Sequence, residues 1–297
     1  MSLFAGLSAF PITPATPEGR VIAADLRGVL QRIAQGGADS VGLLGSTGTY
    51  MFLDRDERQR AVAIAVETLA STPVIVGVGA LRTDEAQRLA KDAAAEGAAG
   101  LLLAPVSYTP LTEEEVFRHF AAVAEATDTP IVIYNNPSTT NFTFKPALVA
   151  RLADEIPSVA AIKLPLPKGD LAADLKAYRE AAPRLAIGYS GDWGCKDGLL
   201  AGADAWFSVA GGMFTERAAA LTAAALRGDR VEADRLDAEF TPLWEVFKLA
   251  GGMRAMYAAA NHLGLTAAQP PLPVLPLEGE LRAKLIGAVA GLQSAFR

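Results

Sequence analysis

The sequence predicts an α/β protein built as a (β/α)8 TIM barrel with a helical region appended at its C-terminus. Three observations carry this prediction. Eight short apolar runs, rich in β-branched residues, alternate with segments of helical spacing along residues 1–227. Each run is hydrophobic almost throughout, as parallel strands buried on both faces are. No composition break or Gly/Ser linker interrupts the series, and 297 residues, 51% of them apolar and 20% charged, suffice for one large barrel. A doubly wound open sheet is the alternative that periodicity alone leaves open.

The expected strands are Leu7–Thr13, Val41–Thr47, Val74–Ala80, Gly100–Val106, Ile131–Asn136, Ala160–Pro165, Leu185–Gly191 and Ala205–Gly211. The segments between them read as helices. From Asp54 to Ala70, Ala61, Ile64, Ala65 and Leu69 share one face, while Arg55, Asp56, Glu57, Arg58 and Arg60 occupy the rest. Thr112 followed by Glu115 is a capping-box pattern, and Thr83 followed by Ala86 offers a cap without the reciprocal partner. After the eighth unit, Leu236, Phe240, Leu243, Phe247, Met253, Met256 and Tyr257 continue at helical spacing, and a proline-rich link spans Gln269–Pro276. The expected division is therefore a catalytic barrel over 1–227 and a helical region over 228–297 packed on it. That region reads either as a bundle under the barrel or as helices that also build an oligomer interface.

Charge and composition exclude several classes of function. The net charge is -6, from 27 basic and 33 acidic residues, with no concentrated basic run, so neither nucleic acid nor a membrane surface is an expected partner. The single cysteine, Cys195, forms no internal disulfide, and two histidines, His119 and His262, assemble no zinc cluster, so no metal is expected. The N-terminus, Met-Ser-Leu-Phe-Ala-Gly, has no basic leader, and no apolar stretch approaches the roughly 20 residues of a membrane helix. The expectation is a cytoplasmic protein.

In a parallel barrel the site lies at the carboxyl ends of the strands, so polar residues ending apolar runs are the candidates. Lys163 follows Ala160-Ala161-Ile162 and precedes Leu164-Pro165, a setting with little water unless the ammonium points into the barrel mouth. Desolvation lowers a lysine pKa from about 10.4 and makes the amine nucleophilic toward a carbonyl. The competing reading is a strand-end lysine that snorkels to solvent or holds a carboxylate. Tyr134 ends the adjacent strand and offers a phenol as proton carrier, or else a rim aromatic bonded to a backbone carbonyl. Ser46 and Thr47, flanked by Gly45 and Gly48, bring small hydroxyls and approachable amides suited to a carboxylate. Gly77-Val78-Gly79 lacks the third glycine of a dinucleotide fingerprint. Gly211-Gly212 reads equally as a phosphate cradle or as room for close approach at the mouth.

Together these residues resemble the dihydrodipicolinate synthase and N-acetylneuraminate lyase superfamily of class I, pyruvate-type aldolases. The likeness runs through Ala9-Phe10-Pro11-Ile12-Thr13-Pro14, Gly45-Ser46-Thr47-Gly48, Gly77–Gly79, Tyr134-Asn135-Asn136-Pro137-Ser138, Ile162-Lys163, Ser190-Gly191-Asp192 and the C-terminal helices. It implies a lyase in which Lys163 forms an imine with a 2-keto acid, with no cofactor beyond that covalent link. It implies further that Tyr134 shuttles protons, that Ser46 and Thr47 bind the keto-acid carboxylate beside Gly48, and that Thr47 links to Tyr134. Backbone near Val209 would line the pocket. Family members are commonly homotetramers, so a homotetramer or homodimer is expected.

Departures from the family pattern concern the second substrate, an aldehyde in the synthases. Their Tyr-Asn-x-Pro-Ser-Arg-Thr-Gly supplies an arginine for the aldehyde's carboxylate; here Thr139 stands at the arginine and Asn141 at the glycine. Thr49 replaces the glutamate of Gly-[Ser/Thr]-Thr-Gly-Glu, and Leu164-Pro165-Leu166-Pro167 replaces polar residues, which implies a more apolar pocket wall. The neighbouring-subunit tyrosine of the synthase relay falls at Ser107, with Tyr108 one place later. The function expected is a Schiff-base aldolase or lyase acting on pyruvate or a related 2-keto acid. The alternatives are 4-hydroxy-tetrahydrodipicolinate (dihydrodipicolinate) synthase, a dehydratase or lyase of a sugar-derived 2-keto-3-deoxy acid, and a non-catalytic keto-acid-binding barrel.

Overall fold

The computed structural model describes residues 3–294; Met1 and Ser2 of the N-terminal reading, and 295–297 of the appended region, lie outside the described residues. In chain order the elements are β1 (Gly6–Ala9), α1 (Ala23–Gly36), β2 (Ser40–Leu43), α2 (Arg55–Leu69), β3 (Val74–Gly77), α3 (Thr83–Ala95), β4 (Gly100–Leu103) and α4 (Glu113–Ala124). They continue as β5 (Ile131–Tyr134), the short α5 (Pro137–Thr140), α6 (Pro146–Glu155), β6 (Val159–Pro165), α7 (Leu171–Ala181), β7 (Ala186–Ser190), α8 (Cys195–Leu200), β8 (Ala205–Ser208) and α9 (Thr215–Leu226). Each strand pairs in parallel with the next, and β8 returns to pair with β1. The sheet is therefore closed, which decides against the doubly wound alternative. All eight expected strands form. Most end before the apolar run does, because at the carboxyl end the chain leaves the ladder to build the mouth.

Strand alternation divides the core into two parts. Outward residues such as Leu7, Val41, Leu103 and Ile162 pack under the helices, while Phe4, Phe10, Ile75, Leu102, Val132, Ala161 and Phe207 fill the barrel interior. Two glycines make room for the largest of these. A Cβ at Gly42 would stand 2.1 Å from Phe10 Cζ, and one at Gly188 would stand 2.5 Å from Phe207 Cε2. The two phenyl rings meet edge to face at 6.0 Å, forming a rigid aromatic floor beneath the mouth.

The helix starts follow local chemistry. Asp54 caps α2 by accepting from the Glu57 N–H at 2.9 Å, and Thr112 with Glu115 forms the expected reciprocal box on α4. The expected cap at Thr83 does not form. Thr83 is the first residue inside α3, Arg82 is the N-cap, and the Thr83 hydroxyl pairs with His119 Nδ1 at 3.0 Å. His119 is buried and needs that partner; burial lowers its pKa from 6.5 to about 4.

Beyond residue 227 come α10 (Arg230–Ala250), α11 (Gly252–His262) and α12 (Gly279–Ser294). They pack on one another, α12 against α10 and α11, and α10 also packs on α8 and α9 of the barrel. Trp244 of α10 packs edge-on to Trp206 of β8 at 6.4 Å and stacks on Phe240 at 4.9 Å. Lys196 of α8 pairs with Asp234 at 2.6 Å, and the Arg217 Nε–H of α9 donates to the Leu292 carbonyl at 2.7 Å. A positive φ of 80° at Gly251 turns the chain back over the strand ends, where the Tyr257 hydroxyl donates to the Thr13 carbonyl at 3.0 Å. The appended helices thus brace one flank, and α11 reaches the mouth.

The shared space of Gly42 and Phe10 gives a direct test of the aromatic floor. Gly42→Ala should destabilise the fold by about 1–3 kcal/mol through overpacking. Phe10→Leu in the same chain should recover part of that loss while costing stability alone, so the four-member cycle read by chemical denaturation should be non-additive. Strictly additive costs would show that the two residues do not compete for one volume.

Candidate active site

The β5–β6 register sets Tyr134 directly beside Lys163, and strand alternation turns both inward above Val132 and Ala161. Lys163 is 3% exposed, with its Nζ 3.7 Å from the centroid of Phe10, 4.5 Å from that of Tyr134 and 5.8 Å from that of Phe207. A lysine placed so does not snorkel to solvent. Burial lowers its pKa from 10.5, opposed by Tyr134, Asp192 and Cys195, of which Asp192 is the carboxylate. The ring faces and the carboxylate stabilise the cation only in part, so the free amine is more accessible than in water.

The Tyr134 phenol is held by two side chains. It shares a 3.2 Å hydrogen bond with the Ser46 hydroxyl, and Asn136 Nδ2 donates to it at 3.0 Å and to Ser46 Oγ at 3.4 Å. Asn136 is itself fixed by the Ser138 hydroxyl, which donates to its Oδ1 at 2.8 Å. Asn135 is a structural neighbour: its Oδ1 accepts from the Phe144 N–H at 3.3 Å. The expected link from Thr47 to Tyr134 is absent; the hydroxyl on the phenol is that of Ser46. Its cause is the turn after β2, where Leu44 and Thr49 both take φ 56°, so the strand alternation used to orient Thr47 no longer applies. Thr47 is buried in that turn.

Gly77 supports the turn. A Cβ there would lie 1.8 Å from the Leu44 carbonyl oxygen, so Gly77-Val78-Gly79 marks close backbone approach and not a nucleotide site. Among the described residues, the amides of Ser46, Thr47 and Gly48 donate to no protein acceptor. Three successive free donors beside Tyr134 are suited to an anion.

Asp192 is the site residue that sequence reasoning missed. It is 3% exposed, and its Oδ1 accepts from Trp206 Nε1 at 2.8 Å and from the Ser208 hydroxyl at 2.7 Å. Burial raises its pKa from 3.8 to about 6 against those bonds, the Ala210 amide and the Lys163 charge. The available signal was a carboxylate ending β7 in Ser190-Gly191-Asp192. Cys195 lies close by, buried, with its Sγ 3.4 Å from the Tyr189 carbonyl oxygen, and burial raises its thiol pKa.

The remaining candidates are placed as follows. Val209 precedes the 3₁₀ turn Ala210–Gly212, and its carbonyl accepts from the Gly212 N–H at 3.1 Å. The Gly211 N–H donates to Ser208 Oγ at 2.8 Å, so these amides are spent, and a Cβ at Gly212 would stand 2.6 Å from the Phe10 carbonyl oxygen. The diglycine is therefore room for close approach and not a phosphate cradle. Tyr108 is 95% exposed and does not reach the site within its own chain, and the Ser107 hydroxyl bonds the Thr109 carbonyl. The apolar residues after Lys163 do not form the pocket wall: Leu164 packs outward in the helix-facing core, and Leu166 fills the space beside Gly191 and Gly194. Among the described residues no group of three His, Cys, Asp or Glu side chains is placed to hold a metal, and no helix is long and apolar enough to cross a membrane.

Comparison with known proteins gives a consistent result. The model of the Dihydrodipicolinate synthetase family matches residues 3–291. A relative from Methylococcus capsulatus named 4-hydroxy-tetrahydrodipicolinate synthase is 32% identical over 273 residues, covering 91% of this chain and 92% of its own. The crystal structure of a dihydrodipicolinate synthase from Agrobacterium tumefaciens superposes with TM-score 0.94 at 53% identity, covering 98% of each chain. A chloride-inhibited dihydrodipicolinate synthase from Acinetobacter baumannii, solved in complex with pyruvate, superposes with TM-score 0.90 at 26% identity, covering 98% of this chain and 99% of its own.

The buried Asp192 sets a pH dependence of stability whose sign is fixed. Its pKa is higher folded than unfolded, so the native state holds the proton more tightly, and stability falls as pH rises from about 3.8 to about 6. Asp192→Asn keeps an acceptor for Trp206 and Ser208 but cannot titrate. The midpoint difference between the native chain and this variant should therefore change across that window and stay level above it. Parallel curves from pH 4 to 7 would show that the carboxyl does not titrate there.

Proposed function

The chain belongs to the dihydrodipicolinate synthetase family, and from that premise we propose that it is a lyase of the class I aldolase type, joining Lys163 to pyruvate or a related 2-keto acid as a Schiff base. The observation that supports this reading best is the Lys163 ammonium, 3% exposed, above two phenyl rings and beside a phenol. A buried lysine in such a place contributes nothing to folding that an apolar residue would not, so its chemistry is the reason for it.

The residues divide the work as follows. The neutral Lys163 amine attacks the ketone carbon, and the carbinolamine loses its hydroxyl as water when Tyr134 supplies a proton. The free amides of Ser46, Thr47 and Gly48 receive the keto-acid carboxylate, and backbone at Val209 lines the opposite side. Asn136 donates to the phenol oxygen, which leaves the phenol proton free to move toward Ser46 or the substrate and steadies the phenolate once it has moved. Loss of a proton from the carbon beside the imine gives an enamine, the nucleophile of the aldol step. The reaction needs no cofactor beyond the imine, and its other partner is an aldehyde. We propose further that the chain assembles as a homodimer or homotetramer; the exposure of Tyr108 in the single chain supports this reading.

The relatives' names favour a second reading, 4-hydroxy-tetrahydrodipicolinate synthase. Thr139 weighs against it. Its hydroxyl donates to the Asn136 carbonyl at 3.3 Å, and it supplies no charge for an aldehyde's carboxylate. Lys168 stands exposed in the loop after β6 and makes no contact that would bring it to the site.

Three measurements test the assignment. Pyruvate with borohydride should leave a reduced three-carbon adduct that peptide mapping places at Lys163; an adduct elsewhere, or none at millimolar pyruvate, refutes it. Tyr134→Phe should lower kcat by about 10²- to 10⁴-fold. It should leave the thermal midpoint nearly unchanged, since Asn136 and Ser46 still bond each other. A kcat within about threefold of the native chain, well short of the range for a positioned acid or base, would make the tyrosine a rim aromatic. Condensation of pyruvate with aspartate semialdehyde should be weak, and turnover at the rate of an ordinary synthase would restore the second reading.

A further inference from the structure

Beside Tyr134, between the turn after β2 and α11, lies a cavity of about 140 Å³ whose walls are largely apolar. Met51, Phe52, Val106, Met253 and the Tyr50 ring line it, together with the hydroxyl-bearing Ser46, Thr49, Thr139 and Thr140. Ser46 connects it to the chemistry, because the same hydroxyl bonds the Tyr134 phenol at 3.2 Å. We propose that this cavity receives the second substrate, and that this substrate is an uncharged aldehyde bearing an apolar group about the size of a benzene ring. The proposal rests on the keto-acid reading above.

Charge, polarity and volume all point to that class. No lysine, arginine, aspartate or glutamate lines the cavity. Arg58 lies behind Met51, but its donors are committed: Nε to the Leu53 carbonyl at 3.2 Å, Nη1 to the Gly79 carbonyl at 3.0 Å and Nη2 to Met51 Sδ at 3.7 Å. The Thr139 and Thr140 hydroxyls both donate to the Asn136 carbonyl, at 3.3 and 3.0 Å. A carboxylate entering here would lose water and find no cation in return; the Tyr50 phenol, which also lines the cavity, offers a single neutral donor, enough for an aldehyde or ring oxygen but not for a charge, whereas an apolar group loses nothing. A dry cavity of about 150 Å³ accommodates benzene, which sets the scale of the group.

The chemistry balances with the groups present. Pyruvate and Lys163 release water to give the protonated imine, the Tyr134 phenol supplying the proton for the leaving hydroxyl; the phenolate then takes a methyl proton, which gives the enamine and restores the phenol. The enamine carbon attacks the aldehyde carbon; a carbon–carbon bond forms, the carbonyl π pair moves to oxygen, and that oxygen takes the phenol proton of Tyr134. Water then hydrolyses the imine, freeing Lys163 and a 4-hydroxy-2-oxo acid that carries the apolar group.

The test compares benzaldehyde with aspartate semialdehyde and glyoxylate, each with pyruvate, the 4-hydroxy-2-oxo acid being quantified by mass spectrometry. Benzaldehyde should be preferred in kcat/KM by about 10²-fold or more, the scale set by burying an unpaired charge. Val106→Phe, which fills the cavity from a half-buried position, should raise the KM for benzaldehyde at least about tenfold, the scale of a lost apolar contact, and leave the adduct yield with pyruvate unchanged. Thr139→Arg, at an exposed position, should shift the preference toward aspartate semialdehyde. A preference for a charged aldehyde with the Lys163 adduct intact overturns this proposal alone. Absence of the adduct overturns the keto-acid reading and this proposal together. An unchanged KM in a folded Val106→Phe chain places the aldehyde elsewhere and overturns the cavity assignment.

Discussion

The constraint on which the structure turns is an ammonium group held inside a barrel. Taking Lys163 out of water costs free energy that no ion pair fully returns, and ring faces with one carboxylate offset only part of it. The surroundings can then be understood as consequences. Phe10 and Phe207 must fill the barrel to exclude water, so β2 and β7 must be glycine where those rings lie. Asp192 must be buried to act on Lys163, so Trp206, Ser208 and the Ala210 amide must satisfy its oxygens.

The same demand reaches the appended helices. Trp206 holds Asp192 with its indole N–H and packs against Trp244, which stacks on Phe240. The helices after residue 227 therefore stand one side chain away from the Asp192 carboxylate, whose charge acts on Lys163. On the other side α11 closes over the mouth through Tyr257 and contributes Met253 to the apolar cavity.

The proton network shows how a single turn distributes roles. Leu44 and Thr49 in left-handed conformations lift the chain off β2, and Gly77 gives the Leu44 carbonyl the space to do so. The result points the Ser46 hydroxyl at Tyr134 and leaves the amides of Ser46, Thr47 and Gly48 without protein acceptors. Asn136 then completes the triangle from the opposite strand end. A phenol, its hydrogen-bond partners and three amides without protein acceptors come from two loops that have no sequence proximity.

Much of this was legible in the amino-acid sequence. Apolar runs of strand length, alternating with helical spacing, determine a parallel β/α architecture, because both faces of each strand must be covered. A lysine set within such a run marks the candidate site, because a charge there loses its water. The exchange of Ser46 for Thr47 on the phenol, the diversion of the Thr83 hydroxyl to His119 and the course of α11 over the mouth were decided by tertiary structure alone. Side-chain direction follows from strand period only while the ladder lasts. At the carboxyl ends the chain leaves the ladder, and there the direction of each residue is set by what packs against it. Asp192 and the apolar cavity belong to that same region: neither has a local pattern, since each is assembled from segments that meet only when the barrel closes.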